Sequence, residues 1–223
     1  MKRKGVSERM NVQQNLDQMI EENKMRQVRP RLLLHSCCAP CSTYVLDYLK
    51  DSFQIVDLFF NPNMDSAFEY QKRAEEMSFL VKQINQHQLL EEQIQLEIAE
   101  YQSELFFEQI KGLENEPERG GRCAVCFRLR LEEAARAAME FQCDYFATTL
   151  TISPLKNADL INQIGEEIAK KYGITYLPTD FKKKNGYLRS TEISKEYQLY
   201  RQKFCGCIFS KRESEARYEQ KKL

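Results

Sequence analysis

The chain has 223 residues, 42% hydrophobic and 30% charged, with 33 basic and 33 acidic side chains and a formal net charge of zero. That is enough chain to bury a core without disulfides, and it is too hydrophobic and too balanced in charge for a disordered segment. No run approaches the ~18 apolar residues of a membrane span. The charged N-terminus MKRKGVSERMNVQQ lacks the apolar stretch of a secretory signal, so a cytoplasmic protein without membrane contact is expected.

In chain order, a polar helical leader with Leu16, Met19 and Ile20 as a narrow apolar stripe is followed by short apolar runs alternating with longer amphipathic ones. Strands are predicted at 31–36, 54–60, 94–99, 145–149 and 174–177, and helices at 41–50, 68–85, 104–111, 126–141 and 158–172. Such alternation predicts an α/β fold, a doubly wound parallel sheet with helices on both faces. The domain reading is an N-terminal helical extension over 1–30 and one α/β domain over 31–223. Phe59, Phe60, Phe106 and Phe107 are expected in the core, and so is the lone Cys143.

The net charge hides an uneven distribution. Residues 65–118 carry 4 basic against 13 acidic groups, whereas residues 181–223 carry 12 basic against 5 acidic. The basic end can attract a polyanion, or it can simply be solvated.

Cysteine is the informative residue, because seven of the eight fall in three tight groups: Cys37, Cys38 and Cys41; Cys123 and Cys126; Cys205 and Cys207. In a reducing compartment this clustering points to metal ligation or redox chemistry rather than a disulfide framework. The first group follows the first strand, where an open parallel sheet binds its ligands and where the next helix turns its positive end toward thiolates. Two close pairs suit tetrahedral zinc or an iron–sulfur cluster, and spacing leaves both open beside catalytic thiols without metal. The CGC at 205–207 reads either as a reversible dithiol closing a strained small ring or as two more ligands. Other positions carry a structural reading beside a functional one. His35 is a core histidine or a catalytic acid, and Tyr200 is a second candidate acid. Asn61 is a turn residue or faces substrate. Thr148, Thr149, Thr151 and Ser153 cap a helix or hold phosphate. No Walker loop or GxGxxG is present, so no tightly bound nucleotide is expected.

The segments LLLHSCCAPCSTYVLDYL, FFNPNMDSAFEYQKR, GGRCAVCFRLRLEEAA, FATTLTISPLKN and YRQKFCGCIFSKR, in this order, resemble the epoxyqueuosine reductases of the QueH type. The resemblance runs from about Arg31 to Arg212. It implies a fold like that of the adenine nucleotide alpha-hydrolases (HUP-like) and the last step of queuosine synthesis, reduction of the epoxide of epoxyqueuosine at the tRNA wobble position. It further implies Cys37, Cys38, Cys123 and Cys126 as ligands of a 4Fe-4S cluster and Cys205 with Cys207 as a redox-active pair, expected as a disulfide at rest. Cys41 is left as a candidate ligand of an additional mononuclear iron or zinc. Electrons are expected from an external donor. Contacts to tRNA are expected at Lys182, Lys183, Lys184, Arg189, Lys211 and Arg212, with Arg128 and Arg130 as substitutes. The competing reading from the cysteines alone is a zinc-stabilised nucleic-acid-binding module, and a third is a thiol oxidoreductase acting on protein disulfides.

Overall fold

Strand β1 (Arg31–Ser36) is buried over its last five residues, as a strand covered on both faces must be. In the computed structural model, which describes residues 12–220, it lies at the centre of a five-stranded sheet. The others are β2 (Gln54–Phe59), β3 (Gln95–Ile98), β4 (Tyr145–Thr148) and β5 (Thr175–Tyr176). Their order is β3-β2-β1-β4-β5, every pairing parallel. The expected doubly wound α/β sheet is borne out, each strand ending within two residues of its predicted end.

Alternate residues of the strands serve two cores. Leu32, Leu34, Ile55 and Phe59 face α1 (Val12–Arg26), α2 (Ala39–Leu49) and α3 (Ala67–Asn85). Leu33, Val56, Leu58 and Phe146 face α5 (Gly121–Glu140) and α6 (Ala158–Tyr172). The leader stripe is real: Leu16 and Ile20 of α1 are buried in the first core with Met19 packed against it. Residues 1–11 of the expected extension, and 221–223 at the basic end, lie outside the described residues.

Local chemistry sets the helix ends. Ser66 caps α3 by accepting from the Glu69 amide, and Asn157 caps α6 by accepting from the Leu160 amide. Gly173 ends α6 at a φ of 69°, where a Cβ would be strained. Three expectations are corrected. Helix α5 begins at Gly121 rather than at 126, with Gly120 as its N-cap, which puts Cys123 and Cys126 on successive turns. Phe107, on α4 (Ser103–Gln109), is 42% exposed while Phe59, Phe60 and Phe106 are buried. The basic end contains two helices that apolar periodicity did not announce, α7 (Gly186–Glu196) and α8 (Ile208–Gln220).

The chain leaves β1 toward β2 on one side and leaves β4 toward β5 on the other. The crevice beyond the carboxyl ends of β1 and β4 is therefore the topological switch point where such sheets bind ligands.

Candidate functional site

A cavity of about 800 Å³ opens at that crevice, and Cys37, Cys38, Cys41, Cys123 and Cys205 all line it. Cys38 is the N-cap residue of α2, without a side-chain cap of its own, and Pro40 follows in the first turn. The first turns of α5 and α6 reach the same cavity through Cys123 and Asn157. Three helix N-termini thus border the cavity that these cysteines line, and a helix N-terminus carries partial positive charge.

The first group is a tight triad: the Sγ atoms of Cys37, Cys38 and Cys41 lie within 4.8 Å of one another, and those of Cys37 and Cys38 are 3.9 Å apart. Such a group can hold a metal ion. Within the triad Cys37 is the thiol held low. Hydrogen bonds from Cys38 and Cys41 push its thiol well below the ordinary value, helped by Lys156 and Arg130, while Cys38, as donor, is pushed up to about 12. Thr149 secures the turn from across the crevice: its Oγ1 accepts from the Cys37 amide at 3.3 Å and donates to the Cys37 sulfur at 3.7 Å.

Cys123 accepts from the Arg119 amide at 3.3 Å. One turn later Cys126 is buried with Cys207, Phe106 and Ile110, and burial pushes its thiol up to about 12. The CGC turn is clamped from outside. The Asp65 amide donates to the Gly206 carbonyl at 2.9 Å, Arg73 donates to the Cys205 carbonyl at 3.2 Å, and Ser210 accepts from the Cys205 amide at 3.0 Å. Gly206 has a φ of 125°, and a Cβ there would meet Met64 Sδ at 2.8 Å. All eight cysteines, Cys205 and Cys207 included, are free thiols in this structure, so the resting disulfide is not formed in it.

Two cations face the sulfurs. Lys156, half-buried in the turn before α6, lines the cavity. Burial works against its charge, but Cys205, Cys37 and Cys41 hold the ammonium above its ordinary value. Arg130 lies beneath, 1% exposed, and reaches Cys126 Sγ at 3.2 Å.

The remaining expected residues separate. His35 is fully buried, its Nδ1 on Thr148 Oγ1 at 2.9 Å and its Nε2 on the Phe60 carbonyl at 3.0 Å. Burial pulls it down to about 4, so it is a neutral core imidazole, and it is not among the cavity-lining side chains. Asn61 is likewise a core residue, donating to the Ser36 carbonyl at 2.9 Å. Thr148 caps a short 3-10 turn by accepting from the Leu150 amide, and Thr151 bonds Thr179, so both are structural. Tyr200 lines the cavity beneath the Lys72 ammonium, 3.3 Å from its ring centre.

Of the expected tRNA-contacting residues, only Lys211 lines the cavity. Lys182 is paired with Asp180, Lys184 with Asp17, Arg189 with Glu192 and Glu196, and Lys211 itself with Asp65 at 2.6 Å. Arg130 is inaccessible and Arg128 is paired with Glu167. On the cavity rim lie Arg119, which sequence reasoning missed, and Arg201 and Lys203, which the sequence offers as cations beside the CGC thiols and not as tRNA contacts; none of the three has a carboxylate partner among the described residues. Arg201 lies against Tyr187, donating to its hydroxyl at 3.1 Å, and Lys203 lies 5.7 Å from the Tyr218 ring centre. The Arg201 and Lys203 signal was present in YRQKFCGC, whose basic residues adjoin the cysteines.

Comparison with known proteins agrees with this geometry. The family model described as epoxyqueuosine reductase QueH matches residues 32–213. The epoxyqueuosine reductase QueH of Streptococcus pyogenes serotype M1 is 43% identical over 204 residues, covering 92% of this chain and 79% of that protein. Its counterpart in Staphylococcus epidermidis is 41% identical over 209 residues, covering 93% and 87%. That of Thermotoga maritima is 32% identical over 200 residues, covering 86% and 97%. A match spanning all three cysteine groups and the sheet that gathers them shows that the chain belongs to the epoxyqueuosine reductase QueH family.

Proposed function

We propose that this protein is an iron–sulfur oxidoreductase that reduces the epoxide of epoxyqueuosine in tRNA to the alkene of queuosine. The observation that carries the reading is the convergence of five cysteines from three separate chain segments on one cavity at the switch point of the sheet. Converting the epoxide to an alkene consumes two electrons and two protons and releases the oxygen as water. An external one-electron donor supplies the electrons.

The residues fit a sulfur-ligated, anionic group. The donors are all thiols, and the two cations that face them, Lys156 and Arg130, have no carboxylate partner among the described residues. Cys37, Cys38, Cys123 and Cys126 would hold the 4Fe-4S cluster, which supplies electrons singly when bound. Cys41, within 4.8 Å of Cys37 and Cys38, supports an additional mononuclear iron or zinc beside it. Cys205 and Cys207 serve as the dithiol that stores two electrons, and the clamped Gly206 turn keeps them together. Lys156, which lines the cavity, would donate a hydrogen bond to the oxygen that leaves the epoxide.

The tRNA would approach over the rim, with Arg119, Arg201 and Lys203 neutralising phosphate and Tyr187 offering an exposed ring for a base to stack on. Such work belongs in the cytoplasm, and among the described residues no helix is long and apolar enough to cross a membrane. The test is conversion of epoxyqueuosine-containing tRNA by anaerobically prepared protein with dithionite and a mediator. Queuosine formation abolished in Cys123→Ala supports the reading, and unchanged tRNA in the presence of an intact cluster refutes it.

A further inference from the structure

Arg130 is used by none of the steps above, yet it is the cation held tightest against the cysteines. It lies one helical turn beyond Cys126, and its guanidinium is bound on three sides. Nε donates to the Cys126 carbonyl at 3.1 Å, Nη2 donates to the Cys126 sulfur at 3.2 Å, and Nη1 reaches Asn61 Oδ1 at 3.5 Å. Asn61 is itself fixed on the Ser36 carbonyl, next to Cys37. The side chain is 1% exposed and pairs with no carboxylate among the described residues.

A buried cation without a counter-ion carries a desolvation penalty, which negative charge supplied by the site offsets. Here Cys126, Cys205, Cys37 and Cys123 are the groups whose charge favours it. Thiols that ligate a metal do so as thiolates, so a bound cluster would supply the negative charge that faces Arg130.

We propose that Arg130 raises the reduction potential of the iron–sulfur cluster by a charged hydrogen bond to the Cys126 sulfur. The inference rests on the cluster reading above. On reduction the cluster gains one electron, no bond breaks, and its charge becomes more negative by one unit. A fixed cation stabilises that state more than the oxidised one, and an N–H to a ligand sulfur acts in the same direction. The guanidinium stays protonated throughout, so the shift needs no proton and is the same at neutral and mildly alkaline pH. Arg130 is thus a positioning residue for electron uptake, allowing a milder donor to load the site.

The experiment is a dithionite titration with mediator dyes, read by electron paramagnetic resonance of the reduced cluster, on the reconstituted full chain, Arg130→Gln and Arg130→Lys, with iron and sulfide measured in each. Arg130→Gln is expected to lower the reduction equilibrium constant at least tenfold, ~59 mV for a one-electron couple. Arg130→Lys, which keeps the charge but loses the fork, falls between. An unchanged potential in Arg130→Gln with full iron content overturns the proposal. Where Arg130→Gln retains no cluster, Arg130→Lys decides in the same way, and loss of cluster from both makes Arg130 structural and equally overturns it. A wild-type protein without iron and sulfide defeats instead the reading on which the inference rests.

Discussion

Asp57→Asn is expected to change how stability depends on pH, with a sign that the structure specifies. Asp57 is fully buried on β2, and neither carboxylate oxygen has a partner in hydrogen-bond geometry. Burial raises it from 3.8 to about 7, with only the Ser36 hydroxyl opposing. The folded chain keeps a proton that the unfolded chain releases above pH 3.8, so the stability tied to this group is full below that pH and is lost as the pH climbs to 7. The gap corresponds to ~4 kcal/mol. His35 acts in the opposite sense. Its folded value of about 4 lies below the ordinary 6.5, so its contribution is full above pH 6.5 and is lost as the pH falls toward 4. Between these limits the two slopes cancel in the parent protein. Removing the carboxyl exposes the histidine slope, and the stability of Asp57→Asn relative to the parent rises by ~1.4 kcal/mol per pH unit from about pH 4 to 7. Urea unfolding under reducing conditions at about pH 5, 6 and 7 measures it. Parallel curves for the two proteins would show that Asp57 is ionised in the fold and would refute the argument.

Three further outcomes follow from the geometry. Gly206→Ala forces a Cβ to 2.8 Å from Met64 Sδ at a φ of 125°, so the CGC turn is strained by ~1–3 kcal/mol. Queuosine formation falls while iron content stays at the parent level, and full activity would show that the turn need not be clamped. Thr149→Val leaves the buried Cys37 amide without its acceptor at a cost of ~1–3 kcal/mol. The variant should lose iron faster to a chelator, and unchanged loss would remove Thr149 from the support of the site. Substituting Arg119, Arg201 and Lys203 together by Gln weakens tRNA binding and flattens its salt dependence. The same change at the ion-paired Lys182, Lys184 and Arg189 leaves both unaltered, and the reverse pattern would return the interface to the basic end.

The sheet and its cysteines were legible because the signals were local and apolar. The run RLLLHS could only be a strand buried on both faces, and α6 matches its expected span from Ala158 to Tyr172 because a cap, a clear apolar stripe and Gly173 all agree. The start of α5 was obscured by Gly120 and Gly121, which read as loop. One is an N-cap, and the turn that follows is held by Arg122, buried against Phe209 and bonded to the Glu114 carbonyl. Helix α7 has no apolar stripe to detect. It packs on α2 through polar contacts, with Ser190 donating to the Pro40 carbonyl at 2.8 Å. Charge counting cannot see pairing: Lys184 meets Asp17, 167 residues away. Thr149 on Cys37 is a contact of the same kind, made only when β4 aligns beside β1.

The most direct test is the metal itself. Purified without oxygen, the protein should hold about four irons and four sulfides per chain, with broad absorption bleached by dithionite. Cys123→Ala and Cys126→Ala should lose them, and Cys143→Ala, changed at the lone core cysteine, should not. Zinc without sulfide, reproduced after anaerobic reconstitution, would contradict the account and leave a structural metal site in place of a reductase.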